Sequence, residues 1–285
     1  MATLRRHIVG LLDRPGTRGI LAALGTRYAK RVTGNDVSMF YDGIWLHRMG
    51  DKYLADSSAF SYYEHDIRAW ADRYEGWQEE AADYWFYRYS PKAADVVIDV
   101  GAGIGTDVIA FSEKIGQSGR ILAIDAQPTT YLRLVKTCKW NGLKNVLCEQ
   151  VAVTDKAGTV YIEDDAANPE SNAIGAGNIP VPSATLDELC ERHKFDRVDF
   201  LKMNIEGAER MALPGMEKTI RNTARVAIAC HDFRAERGDG DHFATREVVC
   251  EFLRRHGFEL DVRFKDPRPY VRDHVHGWKS GSGAT

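Results

Sequence analysis

From Asp95 onward, short runs of aliphatic residues alternate with longer segments whose apolar residues recur at helical spacing. The runs predict strands at residues 96–100, 121–124, 146–153, 198–203 and 225–230, and the segments predict helices at residues 105–116, 129–140, 185–193, 207–220 and 245–256. Such alternation is typical of a parallel sheet that is covered by helices on both faces. The pattern therefore predicts an α/β fold with a doubly wound, mostly parallel sheet.

Several segments depart from this alternation. Residues 158–162 closely follow the third predicted strand, and we expect them to form a hairpin with its end. Residues 164–182 are rich in Asn, Gly, Ala and Pro, which predicts a long loop. Residues 258–264 and 270–278 have no helix between them, so they predict two antiparallel strands that close the sheet. A disordered tail is expected at residues 280–285.

Residues 1–90 lack the alternation, and we predict that they form a helical extension ahead of a domain at residues 91–279. Within residues 1–33, seven basic side chains accompany a single acidic one. Apolar residues share helical faces at Leu4, Ile8, Leu11 and Leu12, and at Ile20, Leu24, Tyr28 and Val32. Two interpretations stay open: an amphipathic anchor on an anionic membrane, or a helical pair that packs on its own domain or on the partner subunit of a homodimer.

Residues 51–90 are dense in aromatic side chains and contain one glycine and no proline. This composition predicts helices whose rings pack in the core or between helices. A subset of these rings is the candidate lining of a pocket for an apolar or sugar-like substrate.

Composition and charge narrow the function classes. The chain has 285 residues and a net charge of −3, and no apolar run approaches the ~18 residues of a membrane-spanning helix. The lack of an overall basic balance argues against a nucleic-acid partner. The five cysteines are scattered without a C-x-x-C pair, which favours reduced thiols in a cytoplasmic protein.

The sharpest motif follows the first predicted strand, where residues 99–107 are Asp-Val-Gly-Ala-Gly-Ile-Gly-Thr-Asp. Glycines between a strand and a helix let the backbone turn tightly and approach a ligand. The spacing differs from a nicotinamide-binding fingerprint, because position 106 is Thr, and the Gly-Lys-Ser/Thr of a P-loop is absent. Asp125 ends the second strand, where a carboxylate accepts hydrogen bonds from ribose hydroxyls or caps the next helix. Together, the glycine turn and the acid indicate a nucleoside-bearing cofactor.

These features resemble class I S-adenosylmethionine-dependent methyltransferases, and residues 74–231 resemble the FkbM family within that class. Residues 202–209, Lys-Met-Asn-Ile-Glu-Gly-Ala-Glu, are similar to the family's Lys-Ile-Asp-Val-Glu-Gly-Ala-Glu signature. Further similarity lies at Tyr74-Glu75, Val151-Ala152-Val153-Thr154-Asp155, Gly158, Thr185-Leu186-Asp187-Glu188-Leu189, Leu213 and Gly215. Two positions depart from the family's pattern: Asn204 replaces an Asp, and Cys230 precedes His231 where the family more often has Glu.

The resemblance implies a seven-stranded sheet with an antiparallel C-terminal strand, S-adenosylmethionine as methyl donor and a hydroxyl group as acceptor. Ligands of such sheets bind at the carboxyl ends of the strands. The candidate cofactor-binding residues are therefore Asp99, Gly101, Ala102, Gly103, Gly105, Asp125, Val151, Ala152 and Asn204. We expect Asp99 and the glycines at the methionine part, Asp125 at the ribose, and Val151 or Ala152 at the adenine. Asn204 is expected at the cofactor's amino group or at the substrate.

Methyl transfer to a hydroxyl requires that its proton be removed. His231 follows the fifth predicted strand and is the first candidate base, with an imidazole expected to be neutral near pH 7. Glu206 follows the fourth strand and is the second candidate. The alternative is a Mg²⁺ ion held by Asn204, Glu206, His231 and Asp232.

The sequence therefore predicts an O-methyltransferase that acts on a sugar hydroxyl of a glycolipid or polysaccharide. A natural-product or phenolic hydroxyl is one alternative. A non-catalytic module that binds S-adenosylmethionine is another, because Asn204 departs from the family's signature. A nucleic-acid methyltransferase is disfavoured, since the chain has no Asn-Pro-Pro-Tyr-type motif.

Overall fold

The computed structural model describes residues 9–56, 78–162 and 177–280. The strands are β1 (Val37–Tyr41), β2 (Trp45–Met49), β3 (Lys52–Asp56), β4 (Val96–Val100), β5 (Arg120–Ile124), β6 (Val146–Glu149), β7 (Ala152–Val153), β8 (Gly158–Ile162), β9 (Ile179–Ala184), β10 (Phe200–Met203), β11 (Arg225–Ala229), β12 (Phe258–Val262) and β13 (His274–Lys279). The helices are α1 (Arg18–Thr33), α2 (Thr106–Ile115), α3 (Pro128–Trp140), α4 (Leu186–His193), α5 (Glu209–Ala212), α6 (Glu217–Arg221), α7 (Asp232–Glu236), α8 (Arg246–Arg255) and α9 (Pro269–Arg272), and residues 78–84 are also helical.

Seven strands form the main sheet, in the order β12-β13-β11-β10-β4-β5-β6. β13 runs antiparallel to both of its neighbours, and the other adjacent pairs are parallel. The doubly wound, mostly parallel seven-stranded sheet is thereby confirmed. The order of the strands along the chain reverses between β4 and β10, which is where ligands bind in sheets of this kind.

Alternate residues of the central strands enter two apolar cores, one on each face of the main sheet. In β4, Ile98 and Val100 belong to the larger core, whereas Val97 belongs to the smaller one. The same alternation directs Asp99 of β4 and Lys202 of β10 toward the smaller core, where the two residues are register partners. Two charged side chains are thus placed side by side in an apolar layer.

The two closing strands are confirmed, but the second begins later than predicted. β12 and β13 pair antiparallel, whereas residues 269–272 form the short helix α9. Pro269 lies in the first turn of α9. Backbone N–H groups in the first turn have no partner within the helix, so a proline there costs no helical hydrogen bond. The proline therefore favours a helical turn ahead of the strand.

The segment after β6 differs from the prediction. The expected strand at residues 146–153 is divided into β6 and β7, and the expected hairpin between β7 and β8 is wrong, because both strands pair with β9 instead. β9 begins within the segment predicted as a loop. Pro180 and Pro182 favoured a loop, but they are two residues apart. Both prolines therefore lack an N–H donor on the same edge of β9, and β8 pairs along the other edge.

The N-terminal extension contains strands as well as helices. α1 confirms a helix in this region, but residues 37–56 form an antiparallel N-terminal sheet of β1, β2 and β3, so the wholly helical extension is wrong there. Gly43 and Gly50 make its two turns with positive φ angles of 76° and 56°. The helices expected across residues 57–77 lie outside the described residues.

α1 buries a different face from the one that its apolar spacing predicts. Leu21 packs with Met39 and Trp45 of the N-terminal sheet, while Ile20 and Leu24 are each 55% exposed. α1 therefore packs on its own chain, and the membrane and subunit contacts considered for this region stay predictions. Across the three described ranges, no helix combines the length and the apolar character needed to cross a membrane.

The N-terminal sheet is attached to α3 by hydrogen bonds. The Thr137 hydroxyl accepts one from the Ala55 N–H group at 3.2 Å. The Asn141 side chain accepts one from the Tyr53 N–H group at 3.0 Å and donates one to the Tyr53 carbonyl oxygen at 2.6 Å. α3 also buries Leu134 in the smaller core of the main sheet. One helix therefore joins the two sheets.

Candidate active site

Two cavities open at the carboxyl ends of the central strands. The first cavity has a volume of about 360 Å³, and its lining includes Gly101, Gly103, Ile104, Asp125, Gln127, Thr130, Arg133, Val151, Ala152 and Ile162. The second cavity has a volume of about 840 Å³, and its lining includes Glu80, Tyr84, Trp85, Asp107, His231, Phe233, Arg234, Arg237, Tyr270 and His274. Asn204 and Glu206 line both cavities, so the two adjoin at the end of β10.

The glycine turn shapes one wall of the first cavity. Gly101 and Gly103 have φ angles of 76° and 57°, which L side chains rarely adopt. A Cβ atom on Gly101 would lie 1.9 Å from the backbone oxygen of Asn204, so this position admits no side chain. Ala102 and Gly105, both predicted to contact the cofactor, are not among the residues that line the cavity. Gly105 instead lets the turn approach α3.

Asp125 lies in the first cavity, as predicted, at the end of β5. One of its carboxylate oxygens accepts a hydrogen bond from the Gly103 N–H group and the other from the Gln127 N–H group, each at 3.0 Å. Burial raises the pKa of the Asp125 carboxyl group to about 6, against the opposing effect of these two bonds. The hydrogen bonds fix the carboxylate and leave each oxygen a lone pair with which it could accept a hydrogen bond from a ligand's hydroxyl group.

An apolar wall lies opposite the glycine turn. Val151 and Ala152 contribute to it, as predicted, and Ile104 and Ile162 also line the cavity. Such a wall is suited to a flat purine base. Ile162 was not predicted as a site residue, because β8 reaches the cavity only through its pairing with β9.

Asp99 does not line either cavity, so the structure gives no support to its predicted contact with the cofactor, which stays a prediction. Its carboxylate is buried beneath the glycine turn, 2.9 Å from the ammonium group of Lys202. Lys202 also lies 3.4 Å from the Asp107 carboxylate and donates a hydrogen bond to the Gly101 carbonyl oxygen at 2.8 Å. Although burial opposes it, the attraction of the two carboxylates raises the pKa of Lys202. Asp99 and Lys202 therefore support the turn from below.

Asn204 lies at the junction of the two cavities. Its side-chain oxygen Oδ1 is buried and has no hydrogen-bond partner among the described residues. A buried acceptor of this kind calls for a donor, because an unsatisfied polar atom costs free energy. The position agrees with the prediction that Asn204 meets the cofactor's amino group or the substrate.

His231 and Glu206 are brought together at the same junction. The Nε2 atom of His231 lies 3.1 Å from one carboxylate oxygen of Glu206, and Arg234 donates to the other oxygen at 3.1 Å. Glu206 adopts a left-handed backbone conformation with φ 53°, which is uncommon for a non-glycine residue and clusters at functional sites. The contacts with His231 and Arg234 outweigh burial and lower the pKa of Glu206.

The neutral imidazole expected near pH 7 is wrong for this structure. Burial alone would lower the pKa of His231, but the hydrogen bond to Glu206 and the negative charges of Glu206 and Glu209 overcome it and raise the pKa to about 9. The side chain is therefore an imidazolium ion at neutral pH. Removal of one proton would make it a base that is already directed at the junction.

The Mg²⁺ alternative has no support in the described parts of the chain, where no group of three or more His, Cys, Asp or Glu side chains is arranged to hold a metal ion. Asp232 does not join Glu206 and His231. Its carboxylate instead accepts hydrogen bonds from the N–H groups of Thr245 and Arg246, at 3.2 Å and 2.9 Å. Asp232 thus anchors the start of α8.

The second cavity has aromatic walls. The Trp85 ring stacks on the His274 ring with 5.0 Å between centroids and 10° between planes, and Tyr84 makes an edge contact with Tyr270 at 6.0 Å. Tyr84 and Trp85 belong to the aromatic segment from which a pocket lining was predicted. His231, Arg234 and the carboxylate of Glu206 supply charged groups on the floor.

The family model described as "Methyltransferase FkbM domain" matches residues 99–260, more than half of the chain. This chain belongs to the FkbM methyltransferase family. Enzymes of this family are S-adenosylmethionine-dependent methyltransferases, and the first cavity fits that cofactor. It offers a fixed carboxylate to ribose hydroxyls, an apolar wall to adenine and the unpartnered Asn204 oxygen to an amino group.

Two curated proteins show similarity to this FkbM methyltransferase. The hexuronic acid methyltransferase AglP of Haloferax volcanii is 25% identical over 139 residues, which cover 48% of this chain and 56% of AglP. The AMB antimetabolite synthetase AmbE of Pseudomonas aeruginosa is 29% identical over 79 residues, which cover 27% of this chain and 4% of AmbE. The chain thus spans about half the length of AglP and a small part of AmbE.

Solved structures with a similar fold include Aeropyrum pernix fibrillarin in complex with S-adenosylmethionine. That match has a TM-score of 0.44 and 18% identity and covers 88% of this chain and 84% of fibrillarin. A SAM-dependent methyltransferase from Aquifex aeolicus matches with a TM-score of 0.39 and 18% identity, over 78% of this chain and 92% of that chain. The strand order of the main sheet, and not these similarities, supports the fold assignment.

Replacement of Asp125 by Ala is expected to weaken S-adenosylmethionine binding by about 1.5–3 kcal/mol, because charge-assisted hydrogen bonds to hydroxyls are lost. Binding to the unmodified chain should also weaken as the pH falls through about 6, where the buried carboxylate takes up a proton. Calorimetric titration measures both effects, with the exposed Asp155→Ala as the control. Unchanged affinity in a folded Asp125→Ala variant would remove the ribose-binding role.

Replacement of Lys202 by Met is expected to lower the free energy of unfolding by about 3–5 kcal/mol, because the buried Asp99 carboxylate loses its cation. The double variant Lys202→Met/Asp99→Leu should recover most of this loss, since the uncompensated charge is removed as well. Urea unfolding provides the measurement, and the exposed Lys144→Met serves as the matched control. Additive losses in the double variant would show that the two charges do not act as a pair.

Proposed function

We propose that this FkbM methyltransferase transfers the methyl group of S-adenosylmethionine to a hydroxyl group of a sugar. The proposal rests on one observation: the first cavity and the aromatic-walled second cavity adjoin at Asn204 and Glu206. A donor held in the first cavity therefore faces an acceptor held in the second. Bound S-adenosylmethionine would supply an electrophilic methyl group on a sulfonium centre.

The walls of the second cavity support a pyranose as acceptor. Sugar rings present C–H groups that pack on aromatic faces, and their hydroxyl groups pair with charged and polar side chains. Tyr84 and Trp85 provide the rings, and Glu206, Arg234 and Arg237 provide the polar partners. The similarity to AglP, a hexuronic acid methyltransferase, favours a hexuronic acid over a neutral sugar.

The residues at the junction have separate tasks in this proposal. Asn204 orients the polar end of the donor or the acceptor hydroxyl through its unpartnered oxygen. His231, once neutral, accepts the hydroxyl proton at Nε2. Glu206 and Arg234 form the ion pair that the acceptor's hydroxyl groups contact as they reach Nε2. Alignment and proton removal are the two contributions that such a transfer needs from the protein.

A product assay distinguishes the acceptor classes. The chain is incubated with S-adenosylmethionine carrying a labelled methyl group and with a glucuronoside, the matching glucoside or a simple phenol. We expect label in the glucuronoside above the glucoside. Transfer to the phenol alone would overturn the sugar assignment, and binding of the donor without transfer to any acceptor would favour a non-catalytic module.

Replacement of His231 by Ala is expected to leave donor affinity intact and to lower kcat by about 10²–10⁴, the usual contribution of a positioned base. In the unmodified enzyme, kcat should rise with pH and reach half of its plateau near pH 9, because the raised pKa keeps His231 protonated below that value. Steady-state rates between pH 6 and pH 10 provide the measurement. A His231→Ala enzyme with near wild-type turnover would transfer the assignment to Glu206.

A further inference from the structure

Glu209 is a fully buried carboxyl group that faces the rear of His231. It is the first residue of α5, it has no exposed surface, and it lines neither cavity. One of its oxygens lies 3.7 Å from Nδ1 of His231 and accepts a long hydrogen bond of 3.4 Å from the Gly207 N–H group. Its other oxygen, like Nδ1 of His231, has no hydrogen-bond partner among the described residues.

Such a group is expensive to bury unless a cation faces it. The residues beside it are apolar, with Ala208 and Ala212 both buried. Among the described residues, His231 is the basic side chain that Glu209 approaches, and burial and the charge of Glu209 both raise the pKa of the Cys230 thiol. The Glu209 oxygen nearest to Nδ1 lies 3.7 Å from it, so a small rotation of either side chain brings Nδ1 and the carboxylate within hydrogen-bond distance.

We propose that Glu209 is the positioning residue of His231: it holds a proton on Nδ1 and thereby presents Nε2 to the junction of the two cavities. A carboxylate behind an imidazole fixes the tautomer and stabilises the imidazolium ion that forms when the base takes a proton. The catalytic role of Glu209 rests on the proposed transfer of a methyl group to a hydroxyl group.

In the proposed methyl transfer, each bond that forms is matched by one that breaks. The acceptor oxygen forms a bond to the methyl carbon as the carbon–sulfur bond of the donor breaks and leaves its electron pair on sulfur. The hydroxyl proton passes to Nε2 of His231. The resulting imidazolium ion keeps its Nδ1 proton directed at Glu209, and solvent removes the Nε2 proton after product release.

The other charged groups around His231 do not replace Glu209. Glu206 and Arg234 lie on the Nε2 side. His274 of β13 is neutral, since burial lowers its pKa to about 3. Asp232 accepts hydrogen bonds from the start of α8, and Asp273 accepts one from the Phe233 N–H group and pairs with Arg246. Among these described groups, only Glu209 faces Nδ1.

The experiment is a pH titration of the His231 imidazole by nitrogen-15 NMR on the full chain, with the resonance assigned by its loss in His231→Gln. At high pH we expect Nδ1 to carry the proton and Nε2 to be bare. In Glu209→Gln, which keeps the shape of the side chain, we expect the midpoint to fall by about one pH unit and the tautomers to mix. Glu209→Asp should lie between the two.

The matched control is Glu217→Gln, because Glu217 also pairs with a histidine, His256, at 2.8 Å and lines neither cavity. It should leave the His231 titration unchanged. In rate measurements, Glu209→Gln should lower the high-pH plateau of kcat by about 10–100-fold with unchanged KM for the donor. The midpoint of the rate profile should fall together with the NMR midpoint.

Two results would overturn the inference. One is a neutral His231 in the unmodified chain that carries its proton on Nε2, a result that does not depend on the folding of any Glu209 variant. The other is a folded Glu209→Gln variant whose His231 titrates as in the unmodified chain. Neither NMR measurement uses an acceptor, so failure of the proposed sugar methylation is scored separately by the product assay.

Discussion

The buried ion pair between Lys202 and Asp99 is the constraint on which the site depends. The two side chains lie in an apolar layer because strand alternation and register place them there, 2.9 Å apart. From this position the same ammonium group reaches the Gly101 carbonyl oxygen, the Asp107 carboxylate and the face of Trp85, 4.9 Å from its ring centroid. One cation thereby contacts the glycine turn, the start of α2 and a wall of the second cavity.

Burial makes this arrangement specific as well as strong. Within a low dielectric, a charge tolerates few alternative positions, because each displacement leaves a carboxylate or an ammonium group unpaired. An apolar pair of equal volume would fill the same space without defining where the turn begins. The shape of the first cavity and the position of Trp85 are therefore set together, by one interaction that contacts neither ligand.

Much of the first cavity was predictable from sequence, because its residues belong to local sequence motifs. The glycine turn and Asp125 each follow a strand directly, and their positions in the first cavity needed only the rule that ligands bind at strand ends. The roles of Asp99 and Lys202 required the register of β4 against β10, which no local pattern contains. In the N-terminal sheet, the density of aromatic residues that begins at residue 51 favoured a helix where β3 forms.

The second cavity was only partly predictable. A pocket lining was expected from the aromatic segment that supplies Tyr84 and Trp85, but the rest of the lining comes from segments far apart in the chain, such as residues 106–107, 231–237 and 270–274. Glu209 belongs to the family's signature, but its sequence context indicates no role, since a carboxyl group in a short helix is ordinary until its complete burial is known. The protonated state of His231 follows from the same contact. Burial and charge at this site are properties of the assembled fold and not of the motif.

The place of β13 in the main sheet has a consequence for how the protein is made. β13 follows both β11 and β12 in the sequence, yet it lies between them and pairs with both along its length. During synthesis, β12 leaves the ribosome without its partner, and the edge of β11 stays open until residues 274–279 emerge. The main sheet therefore closes only after these residues have been translated, and contacts between residues far apart in sequence slow such a step. Until then, a nascent chain of this protein exposes an unpaired strand edge, which favours aggregation.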